Sequence, residues 1–251
     1  MTIYSWNING FQTCDKYGGF SQILEMQPDI ICLQEVKIGN PTYLNNLFTF
    51  SYEQYYNFAL DKGHNGVYVY SKKKALNCYN RIKFDRFDQE GRFLCLEFRD
   101  YILINVYMPH GGRDKKNLQY KIESYYHLID FLGTLKDEKV ILVGDFNIAH
   151  SELDVERYKN NENNIMFTAQ EREIFTRLLD LGYIDAYRHK NQKQRQYTWW
   201  PYAFDARNRN VGWRIDYCLA SRNCIDAIEE VKIAKEILGS DHCPIQVQLT
   251  L

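Results

Sequence analysis

Val140-Ile-Leu-Val-Gly-Asp-Phe-Asn147 is the stretch on which the fold reading turns. Four consecutive branched apolar residues suit a short strand buried on both faces, as in an α/β sheet. Gly144 lets the chain turn, and Asp145 and Asn147 follow two positions apart. In an extended segment that spacing points both side chains the same way. The fragment predicts a carboxylate and a carboxamide projecting together from a strand end, although an Asp/Asn turn would read alike.

Working outward, apolar or aromatic runs of strand length recur at Ile3–Trp6, Ile30–Leu33, Val67–Tyr70, Phe93–Phe98, Tyr101–Val106, Ile215–Ala220 and Ile245–Leu249. Helical spacing appears between some of them. Phe20, Ile23 and Leu24 share a face that ends at Pro28, and Tyr125, Leu128, Ile129 and Leu132 share another that ends near Gly133. Thr168 with Glu171 reads as a capping box opening a helix that carries Ile174, Phe175, Leu178 and Leu179, with Gly182 past its end. From Tyr52 to Val106 strands are expected to follow one another without helices. This mixture predicts an α/β fold of two packed mixed β-sheets flanked by helices. The polar Lys159–Asn164 stretch is too short to divide domains, so residues 1–251 are read as a single domain.

The chain of 251 residues is 45% hydrophobic and 25% charged, an ordinary balance that can bury a core without staples. A net charge of −1 gives no bulk signature of a nucleic-acid binder, so any such contact needs a local basic surface. Seven scattered cysteines, an odd number with no Cys-x-x-Cys pair, fit buried thiols in a reducing compartment. The chain enters its first strand at once, without a signal core or a run of membrane-spanning length. An intracellular, cytoplasmic protein without membrane association is expected.

Further fragments carry chemistry. Ser240-Asp-His-Cys-Pro244 precedes the last strand, where Asp241 can face a cation while His242 addresses a substrate oxygen. In Gly212-Trp-Arg-Ile-Asp-Tyr217, alternation puts Trp213 and Ile215 on one side and Arg214 and Asp216 on the other. Asp216 is then available to hold a histidine in one tautomer, although a buried Arg-Asp pair would serve structure alone. Trp6-Asn-Ile-Asn-Gly10, Leu33-Gln-Glu35 and Val106-Tyr-Met-Pro109 close other strands with polar groups.

In this order and spacing the fragments resemble the endonuclease/exonuclease/phosphatase superfamily, and within it the exonuclease III and apurinic/apyrimidinic endonuclease branch. The resemblance runs from Ile3 to Val247. Gly144-Asp-Phe-Asn-Ile-Ala-His-Ser-Glu-Leu-Asp154, Phe167-Thr-Ala-Gln-Glu-Arg172 and Tyr197-Thr-Trp-Trp200 point to the DNA-repair branch. It implies a four-layer α/β sandwich and a metal-dependent phosphodiesterase using Mg²⁺, with Mn²⁺ as substitute. The implied reaction is hydrolysis 5′ to an abasic nucleotide, leaving a 3′-hydroxyl, with 3′-5′ exonuclease or 3′-end-cleaning activity beside it. Nicking at damaged bases is left open. The implied partner is double-stranded DNA with abasic sites or 3′ ends, bound by a monomer.

Carried over by motif, Glu35 and Asp241 are the implied metal ligands, with Asn7 or Asn9 close by. Asp145 positions and deprotonates the attacking water, and Asn147 bonds that water or the phosphate. His242, oriented by Asp216, donates to a phosphate oxygen, and Tyr107 lies beside the scissile group. The division of labour among Asp145, Tyr107 and a metal-bound water stays open. Trp213, Ile215 and Trp199 match the family's apolar pocket for a flipped-out sugar. Backbone contacts are expected from Arg113, Lys115 and Lys116, and from Arg188, Lys190, Lys193 and Arg195.

Two departures stand out: Ile165-Met166 replaces a small residue and Gly before Phe-Thr, and Pro201 follows Trp200 where a polar residue is commoner. The chain lacks the long N-terminal extension of some eukaryotic relatives, so a bacterial or archaeal source is expected. RNA or a small phosphate ester is the alternative substrate, and a catalytically dead DNA-binding or scaffold protein is the alternative class.

Overall fold

The structure is a computed structural model that describes residues 1–39, 44 and 51–250. One six-stranded sheet contains β1 (Thr2–Asn7), β2 (Ile30–Gln34), β3 (Glu53–Asn57), β4 (Val67–Ser71), β11 (Ile228–Ile233) and β12 (Ile245–Leu249), in the order β11-β12-β1-β2-β4-β3. The other contains β5 (Asn77–Tyr79), β6 (Phe93–Glu97), β7 (Ile102–Tyr107), β8 (Val140–Asp145), β9 (Tyr183–Asp185) and β10 (Asp216–Ser221), in the order β5-β6-β7-β8-β10-β9. Each sheet is antiparallel except at one central parallel pair, β1 with β2 and β7 with β8.

Strand alternation sorts the core into layers. Ile30 and Cys32 face the other sheet and pack with Leu94, Leu103, Ile141 and Cys218. Ile31 and Leu33 point outward to Phe11, Phe20 and Ile23 from α1 (Phe11–Lys16) and α2 (Gly19–Glu25). On the far side, Leu142 and Leu219 lie under Tyr125, Leu128 and Leu132 of α4 (Leu118–Gly133) and Ile174, Phe175 and Leu178 of α5 (Ala169–Asp180). Helix, sheet, sheet and helix make the four layers of the expected α/β sandwich. Central strands are covered on both faces, which is why their sequences are continuously apolar. Inside the sandwich a polar pin fixes sheet against sheet: Gln34 donates to Asn105 at 2.7 Å, and Asn105 donates to the carbonyls of Leu33 and Tyr68.

Two expectations need correction. Between Tyr52 and Val106 the short helix α3 (Asp85–Gln89) interrupts the strands, started by a β-conformation Phe84. Gly144 is not a turn. It lies within β8 opposite Val106, at φ 142°, where a Cβ would stand 1.9 Å from the Val106 carbonyl oxygen. Glycine is there because β7 and β8 approach too closely for any side chain. The seven cysteines are all free, and six of them are buried.

Candidate active site

The two parallel pairs end at the same rim of the sandwich, so β1, β2, β7 and β8 deliver Asn7, Glu35, Tyr107 and Asp145 to one place. β10 starts there too, with Asp216 paired directly opposite Asp145. The segment entering β12 brings Asp241 and His242.

Asn7 braces the site across the sheets. Its amide donates to Glu35 at 2.9 Å and to Asp145 at 2.8 Å, while its oxygen accepts the Asn9 N–H at 3.0 Å. Asn9 in turn donates to Asp241 at 2.9 Å, and Asp241 also accepts from the Trp199 indole at 3.0 Å. His242 Nδ1 lies 2.9 Å from Asp216, leaving Nε2 to face Asp145 at 3.9 Å. Thr198 Oγ1 accepts the backbone N–H groups of Ile215 and Asp216, and Trp6 Nε1 donates to the His242 carbonyl. The histidine is therefore held at ring and backbone alike.

Asn147 reaches Asp145 by a different route from the one expected. The chain leaves the strand at Asp145, and Asn147 takes φ 52°, a left-handed conformation. Its N–H then donates to Asp145 Oδ1 at 2.8 Å and its amide to Oδ2 at 3.2 Å. The two side chains converge through an Asx-type turn and not through strand alternation. Asn9, Glu35 and Lys37 also have positive φ. Such strain in non-glycine residues gathers where surrounding contacts over-determine a site.

The electrostatics follow from burial. Burial and the neighbouring Asp216 carboxylate push Asp145 up to about 8, against the opposing pull of His242 and Asn7. Burial alone would lower His242, but Asp216 and then Asp145 raise it to about 10. Glu35 resists burial because Lys37, 2.7 Å away, and Asn7 hold it below the ordinary carboxylate range. Burial and Glu35 drive the Tyr107 phenol well above its usual value, so it stays a neutral hydroxyl. Arg92 stacks 4.5 Å from the Tyr107 ring and donates to its carbonyl at 3.2 Å.

Among the described residues, one cluster and one motif-implied group come into question for holding a metal ion. Asp145, Asp216 and His242 offer ligand atoms within 4.8 Å of one another. In that trio, however, His242 Nδ1 is already engaged by Asp216. The second group is the one implied by motif, Glu35 and Asp241 with the oxygens of Asn7 and Asn9. Its donors are oxygens alone, the chemistry hard divalent cations prefer. The Lys37 ammonium bridges Glu35 and Asn9 within this group, so these oxygens already gather positive charge.

Beside the polar centre, Trp213 and Ile215 pack with Ala149, Val155, Ile165, Met166 and Phe167, and Trp199 adjoins them. Met166, standing where the family pattern has glycine, adopts φ 74°. Arg113, Lys115, Lys116 and Arg195 are exposed. Lys116 pairs with Asp114 at 2.8 Å, and Arg195 lies by Tyr197. Arg188 departs from expectation: it is bound to Asp154 and to the carbonyls of Asn191 and Gln194, because buried Asp154 needs its charge.

Sequence reasoning overlooked several residues of this region. Lys37 had a signal, since it stands two positions after Glu35 at a strand end. Thr198 and Trp6 lie inside motifs already singled out, but their roles depend on contacts far apart in sequence that a motif does not show.

This geometry has counterparts among known proteins. Residues 4–242 match the Endonuclease/Exonuclease/phosphatase family. The chain belongs to that family. An exodeoxyribonuclease of Bacillus subtilis is 39% identical over 254 residues, covering all of both chains. A DNA-(apurinic or apyrimidinic site) endonuclease of Dictyostelium discoideum is 36% identical, over all of this chain and 71% of its own. Among solved structures, a Neisseria 3′ phosphatase bound to a product DNA hairpin superposes with TM-score 0.90 and 26% identity over the full length of both chains. The two mixed sheets with flanking helices are those of this family's nucleases.

Proposed function

We propose that this protein is a metal-dependent DNA repair nuclease that hydrolyses the phosphodiester 5′ to an abasic site and leaves a 3′-hydroxyl. We read residues 1–251 as one nuclease domain, acting as a cytoplasmic monomer that also trims or cleans 3′ ends. The observation that carries the reading is the opposition of His242 and Asp145 across a gap of 3.9 Å, each held by its own partners, beside the apolar group of Trp213 and Ile215. Full-length similarity to relatives named as exodeoxyribonuclease and abasic endonuclease supports the substrate. No helix among the described residues is long and apolar enough to cross a membrane.

Each role follows from what its atoms have free. Once ionised, a carboxylate with raised proton affinity accepts a proton from water better than an ordinary one, which suits Asp145 as the base. Both amide protons of Asn147 are used, on Met108 O and Asp145, so its oxygen is left to accept from the attacking water. His242 is protonated at neutral pH, so Nε2 carries a proton for a phosphate oxygen while Asp216 holds Nδ1–H. Tyr107, a neutral donor beside Glu35, completes the set around the phosphate. Glu35 and Asp241, with Asn7 and Asn9 adjacent, would hold Mg²⁺, or Mn²⁺ in its place. When bound, the ion neutralises charge developing on the phosphate. Trp213, Ile215 and Trp199 receive the baseless sugar, and Arg113, Lys116 and Arg195 grip the backbone.

The test is cleavage of a duplex oligonucleotide with one abasic-site analogue, with Mg²⁺ or chelator, against an undamaged duplex. Metal-dependent nicking 5′ to the lesion is expected. Cleavage of RNA or small phosphate esters alone would overturn the substrate while leaving the family intact.

A further inference from the structure

Beneath the site lies an ion pair that the proposed chemistry does not use. Lys121 of α4 and Glu171 of α5 are fully buried and 2.5 Å apart. The Lys121 ammonium spends its other protons on two loops of the site rim, donating to the Asn147 carbonyl at 2.6 Å and the His110 carbonyl at 3.3 Å. Glu171 serves a third loop. Its Oε1 accepts the Met166 N–H at 3.0 Å, and its Oε2 accepts the Thr168 N–H and hydroxyl at 3.0 and 2.8 Å. Thus one pair ties together the segments that follow β7 and β8 and the segment that precedes α5.

Two of the tied residues, Asn147 at φ 52° and Met166 at φ 74°, are in conformations that side chains resist. Such conformations persist only when contacts hold them. Asn147 is the residue whose N–H and amide fix Asp145, whereas Met166 belongs to the apolar group beside Trp213. A salt bridge made only for stability could sit anywhere in the core, and apolar residues would serve as well there. This one sits where a cation under a carbonyl keeps a strained loop in place.

We propose that Lys121 is a positioning residue for the reaction, holding Asn147, and through it Asp145, in register with His242. The claim rests on the assignment of Asp145 and Asn147 as the centre that activates water.

Replacing Lys121 alone leaves Glu171 as an unpaired buried charge and invites unfolding, so the informative variant is Lys121→Met with Glu171→Gln. It buries no net charge and keeps an acceptor for Thr168. Rates are measured well below the melting temperature, on the abasic duplex and on bis(4-nitrophenyl) phosphate. The expected result is a folded protein whose kcat falls by about a hundredfold, the usual scale for a misplaced catalytic group, with KM changed less than about threefold. In an Asn147→Ala background the same two changes should cost less than about threefold more, because Lys121 acts through Asn147. Wild-type kcat in the folded double variant overturns the proposal, as does an equal loss in both backgrounds. If the wild type cleaves only the nitrophenyl ester, the abasic substrate is wrong, and the ratio of variant to wild type still judges Lys121. Should that double variant not fold, Lys121→Leu with Glu171→Gln, which also buries no net charge, is compared in the same two backgrounds, with the same two results deciding.

Discussion

Asp145 and Asp154 are buried to the same degree, each 1% exposed, on the same stretch of chain, and they meet opposite fates. Asp154 receives Arg214 Nε at 2.8 Å, a second guanidinium from Arg188, and the N–H and hydroxyl of Ser151. Burial alone would raise it, but Arg214 and then Arg188 hold it far below the ordinary carboxylate range. Asp145 receives only neutral donors at short range, from Asn7 and Asn147. The cation it faces, His242 at 3.9 Å, is shared with Asp216. One carboxylate has its charge fully matched; the other is left wanting a proton or a cation. The first arrangement makes structure and the second makes reactivity.

The largest effect should come from the unmatched member. Asp145→Asn should lower cleavage of the abasic duplex by about a thousandfold, the range lost with a general base. The same substitution should improve relative stability as pH rises. Because the folded carboxyl holds its proton up to about 8 and the unfolded one releases it near 4, wild type loses stability across that window. Urea unfolding in chelator should show the difference between variant and wild type moving in the variant's favour by about 1 kcal/mol or more from pH 4 to pH 8. A difference that stays flat with pH would mean Asp145 is matched after all.

The matched member should respond the other way. Arg214→Met leaves Asp154 and Asp185 buried without their shared guanidinium, and should cost about 3 kcal/mol in denaturant unfolding. Cleavage by the folded fraction should stay within about tenfold of wild type, since the expected loss is of stability. Acid should expose the same network. Asp154 stabilises the fold fully above its unfolded value near 4, and that contribution drains away as pH falls below it. The variant should therefore show a shallower loss of stability than wild type between pH 4 and pH 2.

Much of this contrast was legible in the sequence, and the rest was hidden for identifiable reasons. The central strands announced themselves because both faces are covered. β3, β5, β9 and β11, absent from the apolar runs, are the four sheet edges. Edge strands carry residues such as Glu229, Glu230 and Lys232, which blunt further pairing and erase the apolar signal. Asp145 and Asp216 could be picked out because they interrupt apolar runs, whereas Asp241 and His242, in a polar loop, stood out only through the motif order that carries the family resemblance. What could not be read was which partner each would find: Arg214 stands two positions before Asp216, yet its carboxylates are Asp154 and Asp185. Lys121 was readable in principle. It precedes Tyr125, Leu128 and Leu132 at helical spacing on a buried stripe, as Glu171 precedes Ile174, Phe175 and Leu178.

The pH profile sharpens the comparison within the centre itself. Cleavage needs Asp145 ionised and His242 protonated, so kcat/KM should rise through an acid limb and fall through an alkaline one. The acid limb should lie above the ordinary carboxylate range, moving down as bound cation relieves Asp145. The alkaline limb should lie well above the usual imidazole value because Asp216 supports the charged ring. Asp216→Asn should bring that limb down by at least about one pH unit. An unmoved limb in this variant would assign it to another group.

The smallest effect tests the rim of the matched region. Arg188 contacts the same Asp154 oxygen as Arg214, but its side chain is 19% exposed against 1%. Water already screens part of its charge, and Arg214 stays in place when it is removed. Arg188→Met should therefore cost only about 1 kcal/mol in unfolding. If it costs as much as Arg214→Met, the pair acts as a single unit and the inner guanidinium has no special place. The same variant separates structural from DNA-facing cations. Being committed to Asp154 and to loop carbonyls, Arg188 should leave the salt dependence of KM unchanged. Exposed Arg195, a few residues along the same loop, should reduce the slope of log KM against log salt by about 1 when changed to Ala. A reduced slope for Arg188→Met would show that DNA draws this side chain away from Asp154, and the carboxylate that looks fully matched in the free protein would then lose half its compensation on binding.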